Sequence, residues 1–372
     1  MIKKLIFDNY KPFNGHHEIE IRPFTLLVGK NSSGKSSITH LLSMMDSLIG
    51  VHRPIQYRCF SSDFINMYSF HNYLTTGLKL GVVNGGDQEL YVSFIRNVGK
   101  LYLLSVEVID KGRTFKKEFT SNDRKEASND ISFIEPVLNE WGFELASWSY
   151  KSNYIAPVRS IPDSIVGFNS SNVGEVRSRG ENVYDILLDS FRGDKVLFNQ
   201  VSNWLYTYMD RQRLTVDPLV GDYYSIGVDN SRGADVPIED VGEGISQVMP
   251  IIIQSYLEKK SDLTIIEQPA LHLHPAAHAA VTDRLIESII RQKKTYVIES
   301  HSANILLALR RAVVNPEVNI TSKDVIVYFL DIDSDKQVAP IEINDFGELS
   351  SWPTGVFGEG SDLVKDILRI RK

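Results

Sequence analysis

The chain has 372 residues, of which 42% are hydrophobic and 23% charged, a composition typical of a globular protein with a sizeable core. Its formal net charge of -7 excludes an overall positive field that would attract nucleic acid or an anionic membrane. A single cysteine, Cys59, excludes a disulfide within the chain. Because no apolar run is long enough to span a bilayer and no signal sequence is evident, we expect a cytoplasmic protein that does not interact with membranes.

In chain order, the first elements are strands. KKLIFDNY and HHEIEIR alternate polar and apolar residues, and FTLLV at 24–28 is a continuous apolar run typical of a buried strand. Residues 78–120 alternate again and predict an antiparallel sheet. After a mostly helical or loop segment, strands and helices alternate again toward the C-terminus. The sequence therefore predicts an α/β fold in three parts, 1–120, 121–235 and 236–372.

The strongest motif follows FTLLV and matches the phosphate-binding loop pattern G-x-x-x-x-G-K-[ST]. It lies between a predicted buried strand and a predicted helix, which is the setting that the pattern requires. Its glycines let backbone N–H groups turn toward a phosphate, Lys35 reaches the β- and γ-phosphates, and the Ser36 hydroxyl ligates Mg²⁺. The predicted nucleotide-contacting residues of this loop are Gly29, Asn31, Ser32, Ser33, Gly34, Lys35, Ser36 and Ser37.

A second motif, LTIIEQP, is an apolar strand that ends in Glu267. A carboxylate at the end of a buried strand, in a chain that also has a phosphate loop, is typical of the Walker B arrangement, in which the acid faces the magnesium ion. The sequence therefore predicts Ser36 and Glu267 as the residues on the metal side of a bound Mg-ATP.

Three further segments carry a family resemblance. EQPALHLHP at 267–275 resembles the EQPE-x-HLHP signature of SMC-like AAA/ABC ATPases, a group that includes OLD-family nucleases and ATPase subunits of bacterial anti-phage systems. DVGEGISQV at 240–248 resembles that group's version of the ABC signature motif, and VIESHS at 297–302 resembles its switch-histidine loop. Residues 154–159 and 352–357 resemble additional landmarks of the same family.

The resemblance implies an ABC/SMC-type P-loop ATPase head with an antiparallel β subdomain and a helical insertion, using ATP and Mg²⁺. It implies that two copies pair head to tail, so that the signature motif of one copy approaches the γ-phosphate bound by the other. The catalytic residues that it implies are Glu267, Gln268 and His301. The signature residues that it implies are Gly242, Gly244, Ser246 and Gln247.

The sequence departs from the family pattern at two positions. Ala270 stands where the family signature has glutamate, and Gln268 stands where ABC-type enzymes usually carry the glutamate that activates water. Either another group such as Glu299 or His301 activates the water, or hydrolysis is slow, or Ala270 is an engineered replacement that traps ATP. The sequence leaves these alternatives open.

Other polar residues have simpler interpretations. The spacing of His272 and His274 could serve a metal, but structural or interface roles are favoured because no third ligand is evident. Asp331 with Asp333, and Glu359 with Asp362, resemble elements of Toprim nucleases in reversed order, so we interpret them as an acidic turn and a helix start. We therefore expect no nuclease within the chain.

Three functional hypotheses follow. The first is an ATPase that regulates a separately encoded effector, such as a nuclease, in anti-phage defence; this role comes from the resemblance alone. The second is a DNA-repair or chromosome-maintenance ATPase that binds DNA directly, for which the basic clusters at 111–113, 116–117 and 310–311 are weak indications. The third is an ATP-dependent scaffold with little or no hydrolysis.

Overall fold

The computed structural model describes residues 2–49, 77–97, 100–120, 134–161, 163–167, 174–230 and 234–352. Cys59, the acidic pair Glu359 and Asp362, and the family landmark beyond Trp352 lie outside the described residues. The chain divides into two compact units. The first unit comprises Met1–Ser152 and Ile326–Ile341, and the second comprises Asn153–Val325 and Glu342–Lys372.

Strands and α-helices alternate along much of the described chain, which confirms the α/β class. The strands are β1 (Ile2–Asp8), β2 (His16–Glu20), β3 (Phe24–Gly29), β4 (Leu78–Asn84), β5 (Glu89–Asn97), β6 (Lys100–Asp110), β7 (Arg113–Glu118), β8 (Ser152–Ile155), β9 (Ile165–Gly167), β10 (Arg213–Pro218), β11 (Tyr223–Asn230), β12 (Ala234–Pro237), β13 (Leu263–Glu267), β14 (Tyr296–Glu299), β15 (Val325–Leu330) and β16 (Val338–Ile341). The α-helices are α1 (Lys35–Ile49), α2 (Ile134–Glu140), α3 (Val183–Arg192), α4 (Val196–Tyr208), α5 (Glu243–Tyr256), α6 (Pro275–Gln292) and α7 (Ala303–Val314). Of these helices, none combines the length and the apolar character that crossing a membrane requires.

The first unit contains an antiparallel sheet with the strand order β2-β1-β4-β5-β6-β7. The alternation of polar and apolar residues along these strands buries one face of the sheet, as the side chains of Leu78, Leu80 and Val82 illustrate. The expected antiparallel β subdomain is therefore confirmed, and its cause is the period-two pattern of the sequence.

A second group of strands in the first unit carries the phosphate loop. These strands have the order β16-β15-β3, with β15 and β16 antiparallel. Every residue of β3 is buried, as expected for the continuous apolar run at 24–28. Because β3 is buried on both faces, it holds the start of the following loop in place.

The second unit has two groups of strands. One has the order β14-β13-β8, in which β13 and β14 run parallel. The other is a four-stranded antiparallel sheet in which β11 pairs with β9, β10 and β12. Strands β8 to β11 and the first half of β12 lie in the segment 121–235, for which the sequence predicted mostly helices and loops. The overlooked signal is the period-two pattern of buried Ile226 and Val228 in β11.

The compact units are discontinuous in sequence, because residues 326–341 return to the first unit. The predicted division into the consecutive segments 1–120, 121–235 and 236–372 does not describe such a return, and it stays a prediction about the functional parts of the chain. Asp331 and Asp333 lie in a turn closed by the Asp333 N–H, which donates to the Asp331 carboxylate at 3.2 Å, as the acidic-turn interpretation expects.

Candidate functional site

The phosphate loop lies between buried β3 and α1 in the first unit. Helix α1 begins at Lys35, and its first turn is closed by the N–H groups of Ser37 and Ile38, which donate to the Gly34 carbonyl at 3.0 and 3.3 Å. A strand, a tight loop and a helix N-terminus follow one another here, as the motif predicts. The helix N-terminus provides backbone N–H groups and a partial positive charge toward an anion.

Two positions of the loop require glycine. Gly34 has a φ of +90°, and a Cβ atom there would lie 2.4 Å from Cζ of Phe13. A Cβ atom at Gly29 would lie 2.4 Å from the carbonyl oxygen of Leu330. Both neighbours belong to the first unit, so the glycines of the motif allow close packing of the loop as well as backbone freedom. Phe13 was not among the residues singled out from the sequence, because its contact with the loop depends on tertiary packing.

Lys35 is buried beneath its own loop. It is 3% exposed, and its Nζ donates to the carbonyl oxygens of Gly29 at 3.1 Å and Lys30 at 2.6 Å. A weaker contact at 3.4 Å joins Nζ to the Ser33 hydroxyl. The ammonium group is therefore held inside the curve of the loop, where a phosphate oxygen could take over these bonds. Asn31 and Ser32 are exposed, and Ser36 and Ser37 are half-buried at the start of α1.

In the second unit, two carboxylates end neighbouring strands. Glu267 ends β13 and Glu299 ends β14, and the parallel register pairs them directly. Residues at one register position of parallel strands place their side chains on the same face of the sheet. Both are buried, at 3% and 5% exposure. We call Glu267, Gln268, Glu299 and His301, all at or just beyond these strand ends, the strand-end cluster.

The residues after β13 form a tight loop, 268–274, which we call the post-strand loop. It starts at Gln268, which has a φ of +48° and whose N–H donates to the Glu299 carbonyl at 2.9 Å. The loop turns again at His272, with a φ of +60°, and ends where the His274 imidazole accepts the Ala276 N–H at the start of α6. His274 therefore caps a helix, as expected for a structural role. Among the residues that the structure describes, no group of three potential metal ligands is found.

The signature motif begins α5. Gly242 precedes the helix, and the Ser246 hydroxyl donates to the Glu243 carbonyl within its first turn at 2.9 Å. A Cβ atom at Gly244 would lie 2.9 Å from the carbonyl oxygen of His272, so glycine lets the helix start lie against the post-strand loop. The His272 imidazole also lies 3.3 Å from the Glu243 carboxylate.

Gln247 and Arg159 are joined by several hydrogen bonds. The Gln247 side chain accepts the Arg159 N–H at 3.1 Å and donates to the Arg159 carbonyl at 3.3 Å. The Arg159 guanidinium donates to the carbonyl oxygens of Gln247 at 3.1 Å and Glu267 at 2.7 Å. Arg159 is 2% exposed, and burial lowers its pKa to about 10. From the sequence, Arg159 was identified only as part of a family landmark. In the structure, its guanidinium joins the signature helix to the end of β13.

His301 follows β14 in the segment 300–302, which we call the switch loop. The His301 side chain is exposed, whereas Ser300 on one side of it is fully buried. The Ser300 hydroxyl accepts the Ser302 N–H at 3.0 Å, and α7 begins immediately afterwards at Ala303. The loop is thus short, and it lies between the end of β14 and the start of α7.

The donor atoms of Glu267, Ser36 and Lys35 are of the chemical types that Mg²⁺ and ATP, the predicted ligands, require. Mg²⁺ prefers oxygen donors, and the chain offers a buried carboxylate at Glu267 and a hydroxyl at Ser36. A buried ammonium held among loop carbonyls, as at Lys35, is suited to an anion. The phosphate loop of the first unit therefore offers donors that suit the phosphates of a nucleotide.

Three solved structures of SMC head domains are similar to the chain. The first is an SMC head bound to the C-winged helix domain of ScpA, with 14% identity, 92% of this chain and 98% of that chain covered, and a TM-score of 0.45. The second is the SMC head domain from Thermotoga maritima, with 9% identity, coverage of 92% and 99%, and a TM-score of 0.42. The third is an SMC head with an extended coiled coil bound to the C-terminal domain of ScpA derived from Pyrococcus furiosus, with 13% identity, coverage of 100% and 99%, and a TM-score of 0.48.

No curated protein matches the sequence. Residues 1–72, which include the phosphate loop, match the AAA ATPase domain family. Residues 320–367 match DUF3696, a family described as of unknown function. Residues 107–308, more than half of the chain and including the strand-end cluster, match the family described as "AAA domain, putative AbiEii toxin, Type IV TA system". The chain therefore belongs to this family of AAA domains, and it is an AAA ATPase-type, nucleotide-binding protein.

Proposed function

We propose that the chain is an ATPase that binds Mg-ATP at its phosphate loop and pairs with a second copy around the nucleotide. The observation that carries this proposal is the phosphate loop itself, which is held between a fully buried strand and a helix N-terminus with Lys35 enclosed by loop carbonyls. Such a loop is suited to the phosphates of a nucleotide, and the match to the AAA ATPase domain covers it.

The roles of the other site residues are part of the proposal. Ser36 and Glu267 would hold Mg²⁺, which when bound neutralises charge on the phosphates. Gly242, Gly244 and Ser246, at the N-terminus of α5, would approach the γ-phosphate held by the second copy. Gln247 would act through Arg159, since both polar atoms of its side chain are bonded to that residue. Gln268 and His301 would orient the attacking water and the γ-phosphate.

Hydrolysis depends on how the missing glutamates are replaced. Gln268 has no carboxylate, and position 270 is alanine. Glu299 is the carboxylate nearest in register to Glu267, and we propose it as the residue that compensates. If it does not, the chain is an ATP-dependent scaffold with little or no turnover. The hydrolysing ATPase and the scaffold would pair in the same ATP-dependent way. In both, the nucleotide supplies contacts that one copy does not make by itself.

A role in anti-phage defence, through a separately encoded effector such as a nuclease, is the extension that the family resemblance favours. Direct DNA binding is the alternative, and the basic clusters give it little support. Lys116 and Lys117 lie 2.6 and 3.2 Å from the carboxylates of Glu118 and Glu140. Because acidic partners neutralise these cations, they offer a phosphate backbone less attraction than unpaired lysines would.

The test is to measure molecular mass and phosphate release, with and without Mg-ATP, for this chain and for Ala270→Glu. Mg-ATP should convert monomers to dimers in both, and Ala270→Glu should release phosphate faster because it adds a carboxylate to the post-strand loop. Ala270→Gln is the matched control, since it adds similar volume without the charge. If Mg-ATP neither binds nor changes the mass, the proposed function is wrong. Equal turnover of all three forms would mean that position 270 has no catalytic importance.

A further inference from the structure

His278 connects two loops of the second unit that lie far apart in sequence. It projects from the first turns of α6, and its side chain is half-buried. Its Nδ1 lies 2.7 Å from the hydroxyl of Ser302 in the switch loop, and its Nε2 lies 3.2 Å from the carbonyl oxygen of Leu273 in the post-strand loop. One imidazole ring therefore bonds to both loops of the candidate site.

The partners determine which nitrogen carries the proton. A carbonyl oxygen only accepts, so Nε2 must donate to Leu273. In the neutral ring, Nδ1 is then an acceptor, and the Ser302 hydroxyl donates to it. Burial lowers the pKa of His278, which favours this neutral form. Ser302 precedes α7 at the N-cap position, yet its side chain makes no capping bond to the helix. Its hydroxyl is oriented toward His278 instead.

The bonds continue on both sides of His278. On the switch-loop side, the Ser302 N–H donates to the Ser300 hydroxyl, and the exposed His301 lies between these two serines. On the other side, Leu273 follows His272, whose carbonyl oxygen lies against Gly244 at the start of the signature helix. A continuous series of contacts thus runs from the signature motif through the post-strand loop to the switch loop.

We propose that His278 is a positioning residue that makes the placement of His301 depend on the conformation of the post-strand loop. A displacement of Leu273 pulls on Nε2, turns the ring, and changes the bond that holds Ser302. The signature motif and the switch histidine then move together rather than independently. The catalytic meaning of this coupling rests on the function proposed above, but the coupling itself is a property of the second unit.

The test is amide hydrogen exchange of the full chain without nucleotide. His278→Ala removes both hydrogen bonds, so the amide exchange rates at 271–274 and at 300–304 should rise together. The expected rise is about fivefold, which corresponds to the loss of a neutral hydrogen bond of about 1 kcal/mol. Thr282→Ala is the matched control, because Thr282 lies one turn further along α6 and its hydroxyl donates to the His278 carbonyl, at 2.9 Å, rather than to either loop. The control should leave both segments unchanged.

A double-mutant cycle separates coupling from simple loss of packing. Ser302→Ala removes the hydroxyl while keeping His278 in place. In this Ser302→Ala background, His278→Ala should change the exchange rate at 300–304 far less than it does in the original chain. Additive effects at 300–304, or a response of only one segment to His278→Ala, would overturn the proposal.

Repeating the exchange measurement with Mg-ATP tests the proposed function separately. In the original chain Mg-ATP should protect both segments, and in His278→Ala the two responses should no longer change in parallel. If Mg-ATP leaves both segments of the original chain unchanged, the proposed nucleotide role fails, while the exchange result without nucleotide still decides the coupling.

Discussion

The phosphate loop of the first unit takes its functional residues from consecutive positions, 29–37, whereas the strand-end cluster and its supports come from separate segments of the second unit. Within the loop, short-range hydrogen bonds join Lys35 to the carbonyls of Gly29 and Lys30. Long-range bonds from Arg159 hold the end of β13, and those from His278 hold the loops beside the cluster. The sequence did not predict these roles for either residue. The comparison teaches that a local motif specifies its own geometry, while a distributed site depends on buried connecting side chains.

The largest effect should come from removing the connection made by Arg159. Arg159→Met deletes two charge-assisted hydrogen bonds to main-chain carbonyls, which are worth about 1.5 kcal/mol or more each. We expect the free energy of unfolding to fall by about 3 kcal/mol in urea denaturation. The matched control is Arg291→Met, whose ion pair with Glu287 is on the surface, so the change should stay below about 1 kcal/mol. Equal losses for both variants would mean that Arg159 is not a connecting residue.

Next in size is the effect of Lys35→Ala on nucleotide binding. In the proposed function the ammonium would make a charge-assisted bond of about 1.5–3 kcal/mol to a phosphate, so the Kd for ATP should rise about tenfold to a hundredfold. Fluorescence titration with a labelled ATP analogue measures this. Lys30→Ala is the control, because Lys30 is an exposed neighbour in the same loop, and its Kd should change little. A similar rise in both variants would indicate that overall charge, rather than the placement of Lys35, determines affinity.

A smaller effect is expected at the contact between the signature helix and the post-strand loop. Gly244→Ala places a Cβ atom 2.9 Å from the His272 carbonyl oxygen, which must move. Overpacking of this kind costs about 1–2 kcal/mol, to be measured by urea denaturation and by faster amide exchange at 268–274. Gly242→Ala meets no atom within 4 Å and should leave the post-strand loop unaffected. An unchanged loop in Gly244→Ala would contradict the proposed contact.

The last effect, which is the smallest within any one pH unit, concerns the far end of the same helix and appears as a pH dependence. Lys294 is buried, and its Nζ donates to the carbonyls of Gln254 and Ser255 at 2.6 and 3.0 Å. Burial lowers its pKa to about 7, from an ordinary value of 10.5. Between these values the unfolded chain binds the proton and the folded chain does not, so stability should rise with pH, by at most about 1.4 kcal/mol per pH unit.

Urea denaturation at pH 7, 8 and 9 checks this sign. The free energy of unfolding of the original chain, minus that of Lys294→Met, should increase from pH 7 to pH 9. A difference that stays constant or decreases over this range would mean that Lys294 keeps its proton in the folded chain.

The sequence alone determined the parts of the protein that are encoded locally. The period-two strands of the first unit, buried β3, the phosphate loop with Lys35 and the strand that ends in Glu267 were all predicted, because side-chain periodicity and glycine spacing act over a few residues. The strands β8 to β12 were missed, although β10 and β11 also alternate, because short alternating stretches beside turn residues are easily taken for loops.

Only the tertiary structure decided how the site is supported. The pairing of Glu267 with Glu299, the contact of Gly244 with the His272 carbonyl, and the bonds of Arg159 and His278 join residues that are distant in sequence. No local pattern encodes which buried polar groups will meet, since that is fixed only when parallel strands and helices pack and each buried donor must find an acceptor.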